Sequence, residues 1–142
     1  MRKQALVAMT ALLTVLAGPA SAAESGSPFG LWHNPKRSVV VRIEPCSDKL
    51  CGVVVWATPA AQATVRQKTG TLLVGAALLK DYRPDSGRNW RGKVLVPDMG
   101  RQFSSSIAQV DRNTLDISGC LIGTMLCKHQ RWERVNGALA QM

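Results

Sequence analysis

The residues best suited to chemistry are four cysteines: Cys46 and Cys51 around Ser-Asp-Lys-Leu, and Cys120 and Cys127 around Leu-Ile-Gly-Thr-Met-Leu. A thiolate zinc site would combine them with His33 or His129, but neither spacing is the usual C-x2-C knuckle. A thioredoxin-like redox pair would need C-x-x-C beside a βαβ unit, and neither is present. An even number of cysteines in an exported chain reads instead as two disulfides. Of the three pairings open to four cysteines, the local ones are preferred, Cys46 with Cys51 and Cys120 with Cys127, each closing a strand-to-strand connection. By the chain-entropy model each small loop would stabilise by roughly 2 kcal/mol.

The remaining candidates for catalysis are weak. The serines at 104–106 lack the G-x-S-x-G context of a nucleophile elbow and suit a strand of small residues. Asp81 and Asp85 could be offered as paired carboxylates, yet Asp85 belongs to the turn sequence Pro-Asp-Ser-Gly. Neither a P-loop nor G-x-G-x-x-G occurs. The sequence therefore points away from an enzyme, and it calls for no cofactor and no metal.

The elements that would carry these residues are short strands. "SVVVRIE" sets Val39, Val41 and Ile43 on one face and Arg42 and Glu44 on the other. "GVVVWA" is β-branched and ends near Trp56. Val39 to Glu44 should enter a stapled hairpin, Pro45 to Cys51 turn, and Gly52 to Ala57 leave. Further on, "LLKDYR", "NWRGKVLV", "RQFSSSIAQV", "TLDISG" and "KHQRWERV" are separated by Pro-Asp-Ser-Gly, Pro-Asp-Met-Gly and Asp-Arg-Asn. In such turns proline presets φ and glycine accepts positive φ. About eight strands with turns between them and no convincing amphipathic helix predict an all-β barrel or sandwich. Residues 58–70, rich in Ala, Thr and Gln, suit either a loop or a short helix capping a barrel end.

The chain opens with Arg2 and Lys3, an apolar run from Ala5 to Gly18, and Ala20-Ser21-Ala22. These are the parts of a secretory leader, expected at 1–22 with cleavage after Ala22. The apolar run is shorter than the ~20 residues needed to cross a bilayer, so no membrane anchor is expected after cleavage. Residues 23–142 then form one domain in an oxidising compartment, expected to be the periplasm. The formal charge of the chain is +9, which favours acidic partners such as anionic lipid or a polyanionic envelope polymer. Basic residues are scattered from Lys36 to Arg134 rather than gathered in an arm, and export makes nucleic acid a poor partner.

From Gly30 to Val135 the chain resembles the DUF2147 family of exported bacterial proteins of unassigned function. The resemblance rests on "GLW", "VVRIEPCSDKLCGVVVW", "LVGAALLKDYRPDSGRNWRGKV", "PDMGRQF", "ISGC" and "RWERV", in that order. It implies a small antiparallel calycin-like β-barrel, the architecture of lipocalins and fatty-acid-binding proteins. Two departures stand out: "ATPAAQATVRQKTGTLLV", covering the variant 58–74 segment, replaces an Asp/Asn-rich stretch, and Leu95 stands where the family commonly has an aromatic.

Gly30-x-Trp32 looks like the G-x-W that opens a lipocalin's first strand, where a late arginine covers the tryptophan. Alternation puts Gln130, Trp132 and Arg134 on one face, so Arg134 is the expected partner of Trp32, in a structural role. Two function classes remain, the first being a binding module whose barrel holds a small apolar or anionic amphipathic envelope ligand. Trp56 and Trp90 would stack on it at the mouth, and Arg83, Arg88, Arg91 and Lys93 would attract its head group. The alternative is a protein-interaction module with a filled barrel, such as a periplasmic enzyme inhibitor or envelope factor.

Overall fold

A computed structural model describes residues 26–121 and 126–136. The expected leader at 1–22 lies outside the described residues. The β-branched and alternating segments form β1 (Gly30–His33), β2 (Val39–Cys46), β3 (Lys49–Ala57), β4 (Ala77–Pro84), β5 (Asn89–Val96), β6 (Arg101–Asp111), β7 (Thr114–Cys120) and β8 (Cys127–Arg134). Each strand pairs antiparallel with the next, and β8 returns to β1 to close the barrel. Closure removes the free edges that an open sheet of this size would present. Both disulfides are the local ones, Cys46–Cys51 and Cys120–Cys127.

The first hairpin is tighter than its sequence suggests. Pro45 and Cys46 continue β2 in register with Leu50 and Lys49, which leaves only Ser47 and Asp48 as the turn. Proline is tolerated there because its missing N–H falls where the ladder is about to end. The expected face of Val39, Val41 and Ile43 does meet the core. Val40, on the other face, is also buried and lies opposite Trp56. The register shift between Val40 and Val41 leaves Val55 as the extra residue, so it is the alternation of β3 that is reset.

Residues 59–69 form a helix, α1 (Pro59–Thr69). Its amphipathic signal is weak because Val65 is its only buried residue. Its ends carry the specification. Thr58 accepts a hydrogen bond from the Ala61 N–H, Pro59 opens the first turn, and Gly70, at φ 70°, donates its N–H to the Arg66 carbonyl. These are standard start and stop devices. Lys68 pairs with Asp98 at 3.3 Å and ties the helix to the β5–β6 turn at one end of the barrel.

Inside the barrel, Trp32, Val41, Ile43, Val54, Leu79 and Ile107 are nearly inaccessible, with Leu115 and Trp132 beside them. Among the described residues no helix is long and apolar enough to cross a membrane.

Candidate functional site

At the end of the barrel where β1 begins and β8 finishes, the Arg134 guanidinium lies 4.1 Å from the centre of the Trp32 ring. Three backbone carbonyls fix it there. Nε donates to Arg112 at 2.8 Å, one terminal nitrogen to Phe29 at 2.7 Å and the other to Ser27 at 2.6 Å. Partial burial, with repulsion from Arg112, lowers the Arg134 pKa. The Trp32 indole N–H donates to the Pro28 carbonyl at 2.8 Å. Gly30, at φ 121°, allows this close approach, because a Cβ there would stand 2.8 Å from the Arg134 guanidinium. The whole constellation is spent on holding the entry segment against the last strand.

Polar groups of a different kind face the barrel interior. The Tyr82 hydroxyl, the Ser105 hydroxyl and the Gln109 side-chain nitrogen are buried, and none has a hydrogen-bond partner among the described residues. Tyr82 and Ser105 meet across Gly92. Gly92 pairs with Ser105, and a Cβ on Gly92 would stand 2.7 Å from the Tyr82 ring. Burial raises the Tyr82 pKa far above its ordinary value, and the nearby Ser105 hydroxyl offsets part of this. The two hydroxyls are neighbours without forming a hydrogen bond of ordinary geometry. Among the described residues no charged side chain is buried, so the interior is polar in places but uncharged.

A concavity of about 500 Å³ lies on the outside of the barrel and includes Trp56, Val40, His33 and Glu133. These four are successive cross-strand neighbours on β3, β2, β1 and β8. The Glu133 carboxylate there meets Arg37 at 3.2 Å and lies 3.6 Å from the His33 ring.

The tryptophans expected at a mouth lie apart, and the basic residues expected there lie on the outside of the barrel. Trp56 is exposed in the outer concavity, whereas Trp90 is partly buried and packs against the core. Because Trp90 and Val94 point inward, Arg91 and Lys93 between them point outward, and both are exposed. Arg83 lies opposite Arg91 on β4. Arg83 faces Asp48 at 3.7 Å and Arg91 faces Asp85 at 2.8 Å. Arg88 is exposed in the β4–β5 turn, where its carbonyl accepts the Gln109 N–H. The basic side chains therefore flank the outer wall instead of ringing an opening. Leu95 is half-buried on β5 opposite Gln102.

Residues 30–134 match the family model described as an uncharacterized protein conserved in bacteria, DUF2147. The chain belongs to the DUF2147 family. No curated protein matches it. Among solved structures, it is similar to a protein of the human pathogen Helicobacter pylori described as belonging to the lipocalin family. The TM-score is 0.64 and the identity 12%, over 82% of this chain and 88% of that one. At that identity the likeness concerns the fold, and it agrees with the closed eight-strand barrel of this DUF2147 member.

The interior polar groups escaped the sequence reading although a signal for them existed. In "RQFSSSIAQV", alternation from Ile107 puts Ser105 and Gln109 on the inward face. Tyr82 was hidden by the irregularity at Asp81, which has φ 55° and lies within a register shift of β4.

Proposed function

We propose that this DUF2147 protein is an exported, periplasmic binding protein whose barrel takes a small, neutral, largely apolar molecule carrying a hydrogen-bonding group. The observation that carries this reading is the set of unpartnered buried groups on Tyr82, Ser105 and Gln109. A buried polar group left without a partner costs about 1–3 kcal/mol, a large share of the ~5–15 kcal/mol that holds a domain together. A ligand hydroxyl or carbonyl would recover that energy. An eight-strand barrel has room for side chains or for one small ligand. A lipocalin-like fold supports small-molecule binding, and two disulfides support an oxidising, extracytoplasmic setting.

The uncharged interior supports this ligand class. A carboxylate or phosphate placed there would lose its hydration with no cation to meet it. The neutral apolar ligand is therefore favoured over the anionic amphiphile. The outer concavity is a poorer candidate, since its Arg37, His33 and Glu133 already pair.

The test is native mass spectrometry of the protein taken from its own compartment, followed by tryptophan-emission titration with a long-chain alcohol, a monoacylglycerol and a fatty acid. The double variant Tyr82→Phe/Ser105→Ala should lose the bound molecule while its unfolding midpoint stays level or rises, because it removes groups that had no partner. The neutral ligands should bind more tightly than the fatty acid at pH 8. Retention of the ligand by the double variant, or no binding by any of the three, would overturn this reading in favour of a filled barrel that works through its surface.

A further inference from the structure

The outer wall of β4, β5 and β6 carries an arrangement that folding alone does not reward. Lys80 lies directly opposite Lys93, and Arg83 directly opposite Arg91. Like charges facing each other across a ladder are destabilising. The two arginines are each relieved by an aspartate, Asp48 and Asp85. Lys80 and Lys93 form no ion pair among the described residues; the nearby Asp81 accepts a hydrogen bond from Lys49 at 3.0 Å, and that bond, with the Lys49 charge and lesser effects of Arg83 and Lys93, lowers its pKa.

The rows continue as hydroxyl groups. Lys93 is paired with Ser104, and Arg91 with Ser106, which shares a 2.6 Å hydrogen bond with Ser118. Ser118 is in turn opposite His129, whose ring meets Asp116 at 3.2 Å. Neighbouring strands are about 4.8 Å apart, and residues two apart on a strand are about 6.8 Å apart. The wall is thus a grid of ammonium, guanidinium and hydroxyl groups on a pitch of a few ångströms. Lys49, Lys80, Arg83, Arg91 and Lys93 outweigh Asp48, Asp81, Asp85 and Asp116 there.

We infer that this wall is a binding site for a linear polyanion bearing phosphate or carboxylate groups at short intervals. An anion would sit between Lys80 and Lys93 and convert that repulsive pair into a bridged one, the next would reach the facing arginines, and serine hydroxyls would donate to the remaining oxygens. An anionic bilayer is the weaker partner. Docking onto a membrane is strengthened by apolar side chains that enter the acyl boundary, whereas the exposed large apolar residues, such as Leu72, Met99 and Leu126, lie in connections or at strand ends outside this wall. The site is separate from the barrel interior and needs no ligand there.

The experiment measures binding of long-chain inorganic polyphosphate to the disulfide-bonded protein across a salt series, with orthophosphate and phosphatidylglycerol vesicles as comparators. Polyphosphate should bind with affinity that falls steeply with salt. Lys80→Gln/Lys93→Gln should weaken it about tenfold at low salt and flatten the slope, as expected when two counterion-releasing contacts are lost. Lys36→Gln/Arg66→Gln removes the same charge from exposed positions elsewhere and should weaken binding less than about threefold. The Lys80/Lys93 variant should also melt no lower than the parent, since it removes a repulsion. Equal losses in the two double variants would reduce the effect to overall charge and overturn the site. Absence of polymer binding, orthophosphate binding as tight as polymer, or preference for the vesicles would overturn it as well.

Discussion

Arg134 shows what a single side chain contributes to this barrel. Its planar fork meets Ser27, Phe29 and Arg112 carbonyls while its face covers Trp32. A lysine has the charge but neither the fork nor the flat face. Arg134→Lys should therefore destabilise by about 1–3 kcal/mol, read from urea melts, the scale of hydrogen bonds to a charged group. Stacking should add about 0.5–2 kcal/mol. It is isolated by a cycle with Trp32→Phe, in which residues in contact couple by about 0.5 kcal/mol or more. Strict additivity would mean that the carbonyl contacts alone hold the closure. Lys80, Lys93 and Tyr82 are the opposite case: the two lysines face each other and form no ion pair among the described residues, and the Tyr82 hydroxyl is buried without a hydrogen bond of ordinary geometry, so stability and binding should move in opposite directions on substitution.

At the scale of elements, the β4–β5 hairpin is the most constrained. A Cβ at Gly92 would stand 2.6 Å from the Lys80 carbonyl and 2.7 Å from the Tyr82 ring. Gly92→Ala should cost about 1–3 kcal/mol, as overpacking does, and should disturb Tyr82, visible as a change in its near-ultraviolet circular dichroism. A neutral result would show that the ring can retreat, and hence that there is room beside it. The strands and turns were legible because Pro-Asp-x-Gly and alternation are local signals. The helix was only half legible: caps at Thr58 and Gly70 specify it, while Val65 alone is buried. In "NWRGKVLV" the pleat sets Trp90 and Val94 on one face and Arg91 and Lys93 on the other, a separation that a shared ligand mouth does not respect. The bulges at Val40/Val41 and around Asp81 could not be read, since each depends on how the partner strand packs.

For the whole molecule, closure rests on its narrowest seam. β5 and β6 are paired from Asn89↔Ala108 to Val96↔Arg101, whereas β1 and β8 are paired only at Trp32↔Arg134 and His33↔Glu133. One further bond, from the Val135 N–H to the Leu31 carbonyl at 2.9 Å, extends that junction. Its partners come from opposite ends of the sequence, so the entropy of bringing them together is recovered only after the intervening hairpins have formed. Opening at this seam breaks few backbone hydrogen bonds, and such regions open with free energies well below that of global unfolding. Amide hydrogen exchange should therefore be faster for β1 and the end of β8 than for β5, β6 and β7. Arg134→Ala should widen the gap by loosening β1 while leaving β5–β7 exchange tied to the global stability. If β1 exchanges as slowly as β6 and the variant lowers protection uniformly, the seam is no weaker than the rest of the sheet. A ligand reaching Tyr82 and Ser105 would then have to enter by another route, past α1 at the opposite end of the barrel.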